Sequence, residues 1–177
     1  FDPIPLGVMP ASVEQGDPEQ FLVLSVIHRA LQDAEKGHSR QSGASFSTKR
    51  ASPERTEMVV GRGGYLGNAL EHLHLRSEVV SQVSELLSRL SEQPSREQAA
   101  EIRRKLLAAL PAVTAETVAG TIPNLNCGRV ANRLDFMGAG YTVDAACASA
   151  LIALDRVMES LRSGRCDLGI AAAVHLV

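Results

Sequence analysis

Residues 141–177 read YTVDAACASALIALDRVMESLRSGRCDLGIAAAVHLV and contain three predicted elements in succession. Residues 141–143 predict a strand. The helix that follows carries large apolar residues on one face, Leu151, Leu154, Met158 and Leu161. Gly164 is placed to end this helix in the left-handed conformation, and residues 168–177 are almost wholly apolar, which is typical of a strand buried on both faces. Strand, helix and strand predict a βαβ unit with parallel strands, and hence an α/β fold.

Cys147 lies where the first of these strands gives way to the helix. Its neighbours are small, so the backbone can turn sharply and approach a bound carbonyl group: Ala145, Ala146, Ala148, Ser149 and Ala150. At a helix N-terminus, the macrodipole and the unpaired backbone N–H groups favour a thiolate and can bind an oxyanion. Small buried cysteines without a chemical role are also common. Taken alone, the spacing leaves both a nucleophilic and a structural Cys147 open.

The earlier part of the chain predicts further helices and one buried strand. Asp17 and Pro18 supply an N-cap and a first-turn proline. An apolar helical stripe follows them: Phe21, Leu24, Ile27, Leu31 and Ala34. Residues 58–60 predict a short buried strand, and the glycine-rich turn after it lacks the spacing of a phosphate-binding loop. Apolar stripes in residues 79–90 and 95–110 predict two more helices, the second beginning with a capping box.

Residues 35–55 contain few large apolar residues and many Gly, Ser, Lys and Arg residues. This composition predicts a flexible, solvated loop. The alternative is a docking patch for an acidic partner, formed by the basic residues Lys36, Arg40, Lys49, Arg50 and Arg55. Composition alone does not separate these two interpretations.

The overall composition excludes several classes of function. The chain has 177 residues and a net charge of −2, so no basic surface for nucleic acid is expected. Only 3% of the residues are aromatic, which offers few platforms for stacking bases. No apolar run approaches the length of a membrane span. The three cysteines lack C-x-x-C spacing, which indicates a reducing, cytoplasmic compartment rather than a disulfide framework or a zinc site.

Residues 144–151, DAACASAL, closely resemble the active-site signature of the β-ketoacyl synthases. The resemblance is strongest to the ketosynthase domains of type I polyketide and polyunsaturated fatty acid synthases. It continues on both sides of the signature, in residues 122–125, 128–135 and 161–167. Residues 16–21 and 60–63 are similar to an earlier helix start and an earlier strand of the same family. The resemblance therefore covers nearly the whole chain.

The resemblance implies a thiolase-like layered fold with a mixed, mainly parallel sheet and buried helices. It implies that Cys147 is the catalytic nucleophile, which takes an acyl group from a phosphopantetheine thioester. A malonyl-type unit on acyl carrier protein then decarboxylates, and its enolate attacks the acyl-enzyme to form a β-ketoacyl thioester. The implied partners are acyl carrier protein and a second copy of the chain in a homodimer, and no cofactor is bound directly.

The resembled family completes its active site with two histidines and a lysine that lie downstream of the matched region. We therefore expect residues 1–177 to be the N-terminal half of a ketosynthase domain in a larger protein, without its extreme N-terminus and inactive alone. The start at Phe1, rather than at methionine, agrees with this expectation. The alternatives are a thiolase- or chalcone-synthase-like condensing enzyme and a non-catalytic dimerisation scaffold. Retention of Cys147 argues against the scaffold.

Four positions depart from the family pattern. Ala150 stands where the family usually has Ser, and Ala172 and Ala173 stand where it has a Gly-Gly pair. Alanine is unstrained there only if φ is negative. His175 replaces a polar residue such as Asn, and the sequence assigns it no catalytic role.

The remaining cysteines and two of the histidines are expected to be bystanders. Cys127 falls in a predicted polar loop, where a second reactive thiol is the minor alternative to a structural role. Cys166 is expected to be inert, because the neighbouring carboxylate of Asp167 disfavours a thiolate. His72 and His74 could ligate a metal from one strand face, but a solvated helix start is favoured, and we expect no metal.

Overall fold

The computed structural model describes residues 2–41, 51–63, 67–89 and 94–176. Within these ranges the helices and strands are α1 Pro10–Gln15, α2 Pro18–Gln41, β1 Thr56–Arg62, α3 Asn68–His74, α4 Val80–Ser88, α5 Arg96–Ala109, α6 Ala115–Gly120, α7 Leu125–Leu134, β2 Gly140–Val143, α8 Ser149–Arg162 and β3 Leu168–Val174. A π-helical turn, Leu75–Val79, joins α3 to α4. The predicted α/β class is confirmed.

The described strands form a parallel sheet with β1 in the middle, in the order β2-β1-β3. Gly61 of β1 lies opposite Val143 of β2 and Ala173 of β3. The predicted strand–helix–strand unit is therefore present with parallel strands, although β1 lies between its two strands. Since the strands are parallel, their carboxyl ends share one edge of the sheet, which is where open α/β sheets bind ligands.

One face of the sheet packs against α2 and α7 and forms the main core. Its buried apolar residues include Phe21, Leu24, Ile27, Met58, Val60, Cys127 and Val130. Helix α2 begins as predicted, because Asp17 Oδ1 accepts a hydrogen bond of 2.9 Å from the backbone N–H of Glu19. Four residues of the predicted stripe, Phe21, Leu24, Ile27 and Leu31, face this core.

The structure corrects part of the flexible loop predicted at residues 35–55. Helix α2 continues to Gln41, since the residues after Ala34 contain helix-favouring Glu, Lys, Arg and Gln and no proline. At the other end of the segment, Pro53–Arg55 forms a 3-10 turn. Residues 42–50 lie outside the described ranges, so the loop prediction stays untested there.

Arg55, one residue of the predicted docking patch, has a structural partner. It donates to both carboxylate oxygens of Asp167, at 2.6 and 2.7 Å, and to the carbonyl oxygen of Gly164 at 2.9 Å. The guanidinium holds the pKa of the Asp167 carboxyl below its usual value, chiefly through the hydrogen bond. Gly164 has a φ of 70°, so it ends α8 in the predicted left-handed conformation. Arg55 thus fastens the turn between α8 and β3 to the start of β1.

Helix α8 covers the other face of the sheet, but not through its large residues. Its buried residues are Ser149, Ala153, Val157 and Ser160. The predicted face, Leu151, Leu154, Met158 and Leu161, is instead 37% to 71% exposed. Small residues let α8 approach the sheet closely: a methyl group on Gly169 would lie 2.3 Å from Val157 Cγ1. The predicted helix is confirmed, and the structure shows that its small residues, not its large apolar face, contact the sheet.

Strand β3 is likewise less buried than predicted. Among the described strands it pairs with β1 alone, and Ala171 and Ala173 are exposed. The expectation of a strand buried on both faces is therefore wrong. Neither Ala172 nor Ala173 has a positive φ, so alanine causes no backbone strain at these two departures from the family pattern.

The helices predicted in residues 79–110 are α4 and α5. Ser95 caps α5 as predicted: its Oγ accepts from the backbone N–H of Gln98 at 3.2 Å, and the Gln98 side chain accepts from the backbone N–H of Ser95 at 2.8 Å. In α4 the buried residue is Val80, while Leu86 of the predicted stripe is 63% exposed. Leu90 lies outside the described ranges.

Candidate active site

Cys147 lies in the 3-10 turn Ala146–Ala148, which connects β2 directly to α8. The strand-to-helix junction predicted from the sequence is confirmed, although β2 is only partly buried. Cys147 is exposed, whereas the two other cysteines are buried. Its place at the carboxyl edge of the sheet leaves the thiol accessible to a substrate.

The backbone at this turn, which we call the elbow (residues 144–149), adopts an unusual conformation. Ala146 has a φ of 48°, in the left-handed region that costs a non-glycine residue about 1–2 kcal/mol. Side chains on both sides hold it: Asp144 Oδ1 accepts from the N–H of Ala146 at 2.9 Å. Ser149 Oγ accepts from the N–H of Ala145 at 2.9 Å and donates to the carbonyl of Ala146 at 2.7 Å. The elbow is thus fixed by its own side chains.

Gly61 of the central strand lets the elbow rest directly on the sheet. A methyl group on Gly61 would lie 2.6 Å from the carbonyl carbon and oxygen of Ser149. No side chain fits in that space, so glycine is required for this close approach. The contact places Cys147, which precedes Ser149 by two residues, near the carboxyl end of β1.

The thiol of Cys147 borders a cavity of about 430 Å³, which we call the thiol cavity. Its lining consists of Gly61, Gly63, Ala146, Cys147, Ser149, Ala150, Ala173, Val174 and His175. Apart from Ser149, Cys147 and His175, these residues are small or apolar, so the wall of the cavity is mostly apolar. Ala150 lines this wall without strain, so its departure from the family serine leaves the cavity open.

His175 is the lining residue that sequence reasoning missed. It directly follows β3, just as the elbow directly follows β2. Because parallel strands end at the same edge, both segments come to the thiol cavity. The topology of the sheet was the signal that could have found it, but the sequence does not show which strands are neighbours.

A buried ion pair fixes the chain beside His175. Arg62, the last residue of β1, donates from Nε to Glu19 of α2, and both side chains are less than 10% exposed. The second carboxylate oxygen of Glu19 accepts from the backbone N–H of Leu176 at 3.2 Å. Asp17 lies next to Glu19, and burial raises the pKa of its carboxyl. This cluster ties the ends of β1 and β3 to the start of α2.

Cys127 does not join Cys147. It lies in α7, not in the predicted polar loop, and is 1% exposed in the main core. Burial raises the pKa of its thiol to about 11, because the apolar surroundings disfavour the thiolate. The structural role predicted for it is therefore favoured over a second reactive thiol.

Cys166 and the predicted alternatives for metal binding lie away from the site. Cys166 is 3% exposed, and burial raises the pKa of its thiol, with smaller contributions from Glu57 and Asp167. His72 and His74 lie in the helix Asn68–His74 and not on a strand. Within the described ranges, no three His, Cys, Asp or Glu residues cluster as a metal site requires. None of the helices described there combines the length and the apolar character needed to cross a membrane.

Comparison with protein families gives a match over the whole chain. The family model described as "Beta-ketoacyl synthase, N-terminal domain" matches residues 1–177. Polyketide synthase PksN of Bacillus subtilis is 27% identical over 179 residues, and a 6-methylsalicylic acid synthase of Penicillium terrestre is 28% identical over 178 residues. The chain is 100% covered in the first match and 99% in the second, but spans only 2% and 7% of those proteins.

Solved structures with the same fold are also found. The oxazolomycin ketosynthase domains OzmH KS7 and OzmH KS8 of Streptomyces albus JA3453 align with TM-scores of 0.60 and 0.56. The sequence identities are 21% and 20%, and the alignments cover all of this chain and 23% and 30% of those chains. At these identities the likeness establishes the fold, which is the thiolase-like fold expected from the sequence.

Proposed function

The chain belongs to the β-ketoacyl synthase family, and from this premise we propose that Cys147 is the acyl-accepting nucleophile of a ketosynthase. The family consists of condensing enzymes, and the relatives with matching sequences are polyketide synthases. The observation that carries the proposal is the exposure of Cys147 on a fixed elbow beside the thiol cavity. The other two thiols are buried, and burial raises the pKa of both.

The proposed reaction is an acyl transfer followed by a condensation. The Cys147 thiolate attacks the carbonyl carbon of an acyl-phosphopantetheine thioester, a new C–S bond forms, and the phosphopantetheine thiol leaves. A malonyl-type thioester then loses carbon dioxide, and its enolate carbon displaces Cys147 from the acyl group to give the β-ketoacyl product.

The proposal assigns residues 1–177 to the N-terminal part of a ketosynthase domain in a larger synthase. The family model, which describes an N-terminal domain, supports this assignment, as does the 23% to 30% share of the solved ketosynthase chains that align. The groups that decarboxylate the second substrate are assigned to other parts of the synthase. By itself, the chain is expected to accept an acyl group without condensing it.

Partners and compartment form part of the same proposal. Acyl carrier protein presents both thioesters on phosphopantetheine, and the ketosynthase acts as a homodimer in the cytoplasm. The polyketide synthase relatives support the carrier protein. Three free cysteines support a reducing compartment. A basic dock at residues 36–55 is weakened by the engagement of Arg55 with Asp167.

Acylation of the chain by a pantetheine thioester of a short fatty acid tests the proposal. We expect the intact mass to rise by one acyl group, and Cys147→Ala to abolish this rise. Cys127→Ala is the matched control, because it also removes a thiol but leaves the elbow untouched. An acyl adduct that persists in Cys147→Ala contradicts the proposal and favours the non-catalytic scaffold or a different reactive group.

A further inference from the structure

The thiol cavity contains two titratable side chains, and the proposed function uses only one of them. Among its nine lining residues, Cys147 and His175 are those with an ionisable side chain. A histidine that shares a cavity with a cysteine can take the thiol proton and produce the nucleophilic thiolate. Their pairing is not predictable from the sequence, since many residues separate them.

The backbone brings the two segments to the same place. In register, Gly61 of β1 pairs with Val143 and with Ala173, so the elbow and His175 leave the sheet on either side of the end of β1. The elbow rests on Gly61 of the middle strand, and both Cys147 and His175 line the thiol cavity. The thiol cavity fills the space between them.

The backbone beside His175 is held by a pair of buried side chains, Glu19 and Arg62. The next residue, Leu176, donates its backbone N–H to Glu19, and Glu19 is held by Arg62. Since Glu19 and Arg62 are both at most 8% exposed, this anchor is shielded from water. A side chain on a fixed backbone is a better proton acceptor than one on a mobile terminus, because less entropy is lost on binding.

We propose that His175 is the proton acceptor for Cys147 in the acyl-transfer step. This inference rests on the proposed function, in which Cys147 is the nucleophile. The Cys147 Sγ–H bond breaks, and its proton passes to an imidazole nitrogen of His175, which leaves a thiolate and an imidazolium. The thiolate forms the new C–S bond to the acyl carbon. As the old thioester bond breaks, the leaving phosphopantetheine sulfur takes the proton back from the imidazolium.

Other charged groups close to this pair are engaged elsewhere. On the elbow, the carboxylate of Asp144 accepts from the N–H of Ala146. From β1 and α2, Arg62 and Glu19 form the buried pair, and Asp17 is buried beside them. The lining residues contributed by α8 and β3 are uncharged: Ser149, Ala150, Ala173 and Val174. The pH dependence of Cys147 reactivity is therefore expected to report mainly on His175.

The test is the rate of alkylation of Cys147 by iodoacetamide as a function of pH, followed by peptide mass spectrometry. Wild-type chain is compared with His175→Asn and His175→Gln, both of which remove the proton acceptor. Asparagine is compatible with the backbone here, because any residue adopts the conformation of a strand end. His74→Asn, on the exposed end of α3, is the matched control. Circular dichroism verifies that each variant is folded.

We expect the His175 variants to have a lower rate of Cys147 alkylation than wild type, by a factor that depends on pH. Near neutral pH, both His175 variants alkylate about tenfold more slowly than wild type, because the thiolate loses its partner. At strongly alkaline pH, where hydroxide ionises the thiol directly, the rates of all variants converge, and His74→Asn follows wild type throughout. An unchanged profile, or a loss by the same factor at every pH, overturns the role of His175. Acylation of Cys147 by the pantetheine thioester at alkaline pH tests the proposed function separately, since it does not require His175.

Discussion

The two faces of the parallel sheet differ in how completely they are covered. On the face toward α2 and α7, Leu24 and Val60 are 0% exposed and Cys127 is 1% exposed. On the face toward α8, the helix touches the sheet through Ala153 and Val157, while its largest apolar side chains point to solvent. The first face thus supplies most of the apolar burial that stabilises the fold, and the second positions the elbow.

Cys127 and Cys147 show what this difference in coverage means for the reactivity of a thiol. Cys127 is held in the core with a thiol whose pKa is raised to about 11. Cys147 is exposed, and it lies at a turn whose backbone is held by a hydrogen bond to the side chain of Asp144. The same residue type is therefore inert on one face and accessible on the other, and its surroundings decide which.

The largest expected difference between the faces is in stability. Leu24→Ala removes a fully buried side chain from α2 and should lower the free energy of unfolding by about 3 kcal/mol. Leu154→Ala makes the same chemical change on α8, where the side chain is 47% exposed, and should change it by less than about 0.5 kcal/mol. Urea titrations of both variants measure the contrast. Equal losses would mean that the exposed face of α8 is covered in solution.

A smaller effect is expected from the titration of Cys127. Its thiol ionises near 9.0 in the unfolded chain and near 11 in the folded one. Between these values the folded state binds more protons, so the free energy of unfolding falls as the pH rises through this window. The fall attributable to Cys127 is about 2 to 3 kcal/mol, since one pKa unit corresponds to about 1.4 kcal/mol. It is measured as the difference in pH dependence between wild type and Cys127→Ala, and identical slopes would show that the thiol is not buried.

The smallest expected effect concerns the backbone of the elbow. Ala146→Gly relieves a left-handed alanine and should stabilise the chain by about 1 kcal/mol. Ala100→Gly replaces an exposed alanine inside α5 and should destabilise the chain by a similar amount, about 1 kcal/mol. Thermal unfolding of the two variants should therefore shift in opposite directions. Destabilisation by both would argue against the left-handed Ala146.

Much of the fold follows from local sequence signals. The N-cap at Asp17, the capping box at Ser95 and the left-handed Gly164 all depend on neighbouring residues, and all three are confirmed. The buried side of α8 is different, because it depends on which surface the helix meets. Its apolar stripe faces solvent, and Ser149 and Ser160 are buried instead, which hydropathy alone does not predict.

In the candidate site too, some features follow from neighbouring residues and others depend on the tertiary structure. The place of Cys147 at a strand-to-helix turn follows from residues close to it in sequence. His175 reaches the thiol cavity only because β1 lies between β2 and β3, and this strand order is a property of the whole sheet. Likewise, the burial of Cys127 comes from packing between α7 and the sheet, so a polar segment proved to be a core helix.

Competition among the three cysteines of the unaltered chain is the most direct test of the contrast between the faces. A limited reaction with a pantetheine thioester at neutral pH, followed by peptide mapping, gives the acyl occupancy of each thiol. We predict that the acyl group is found on Cys147 and that Cys127 and Cys166 remain free thiols. Acyl groups spread evenly over the three cysteines, or concentrated on Cys127, would contradict the assignment of the acyl-accepting site to the elbow.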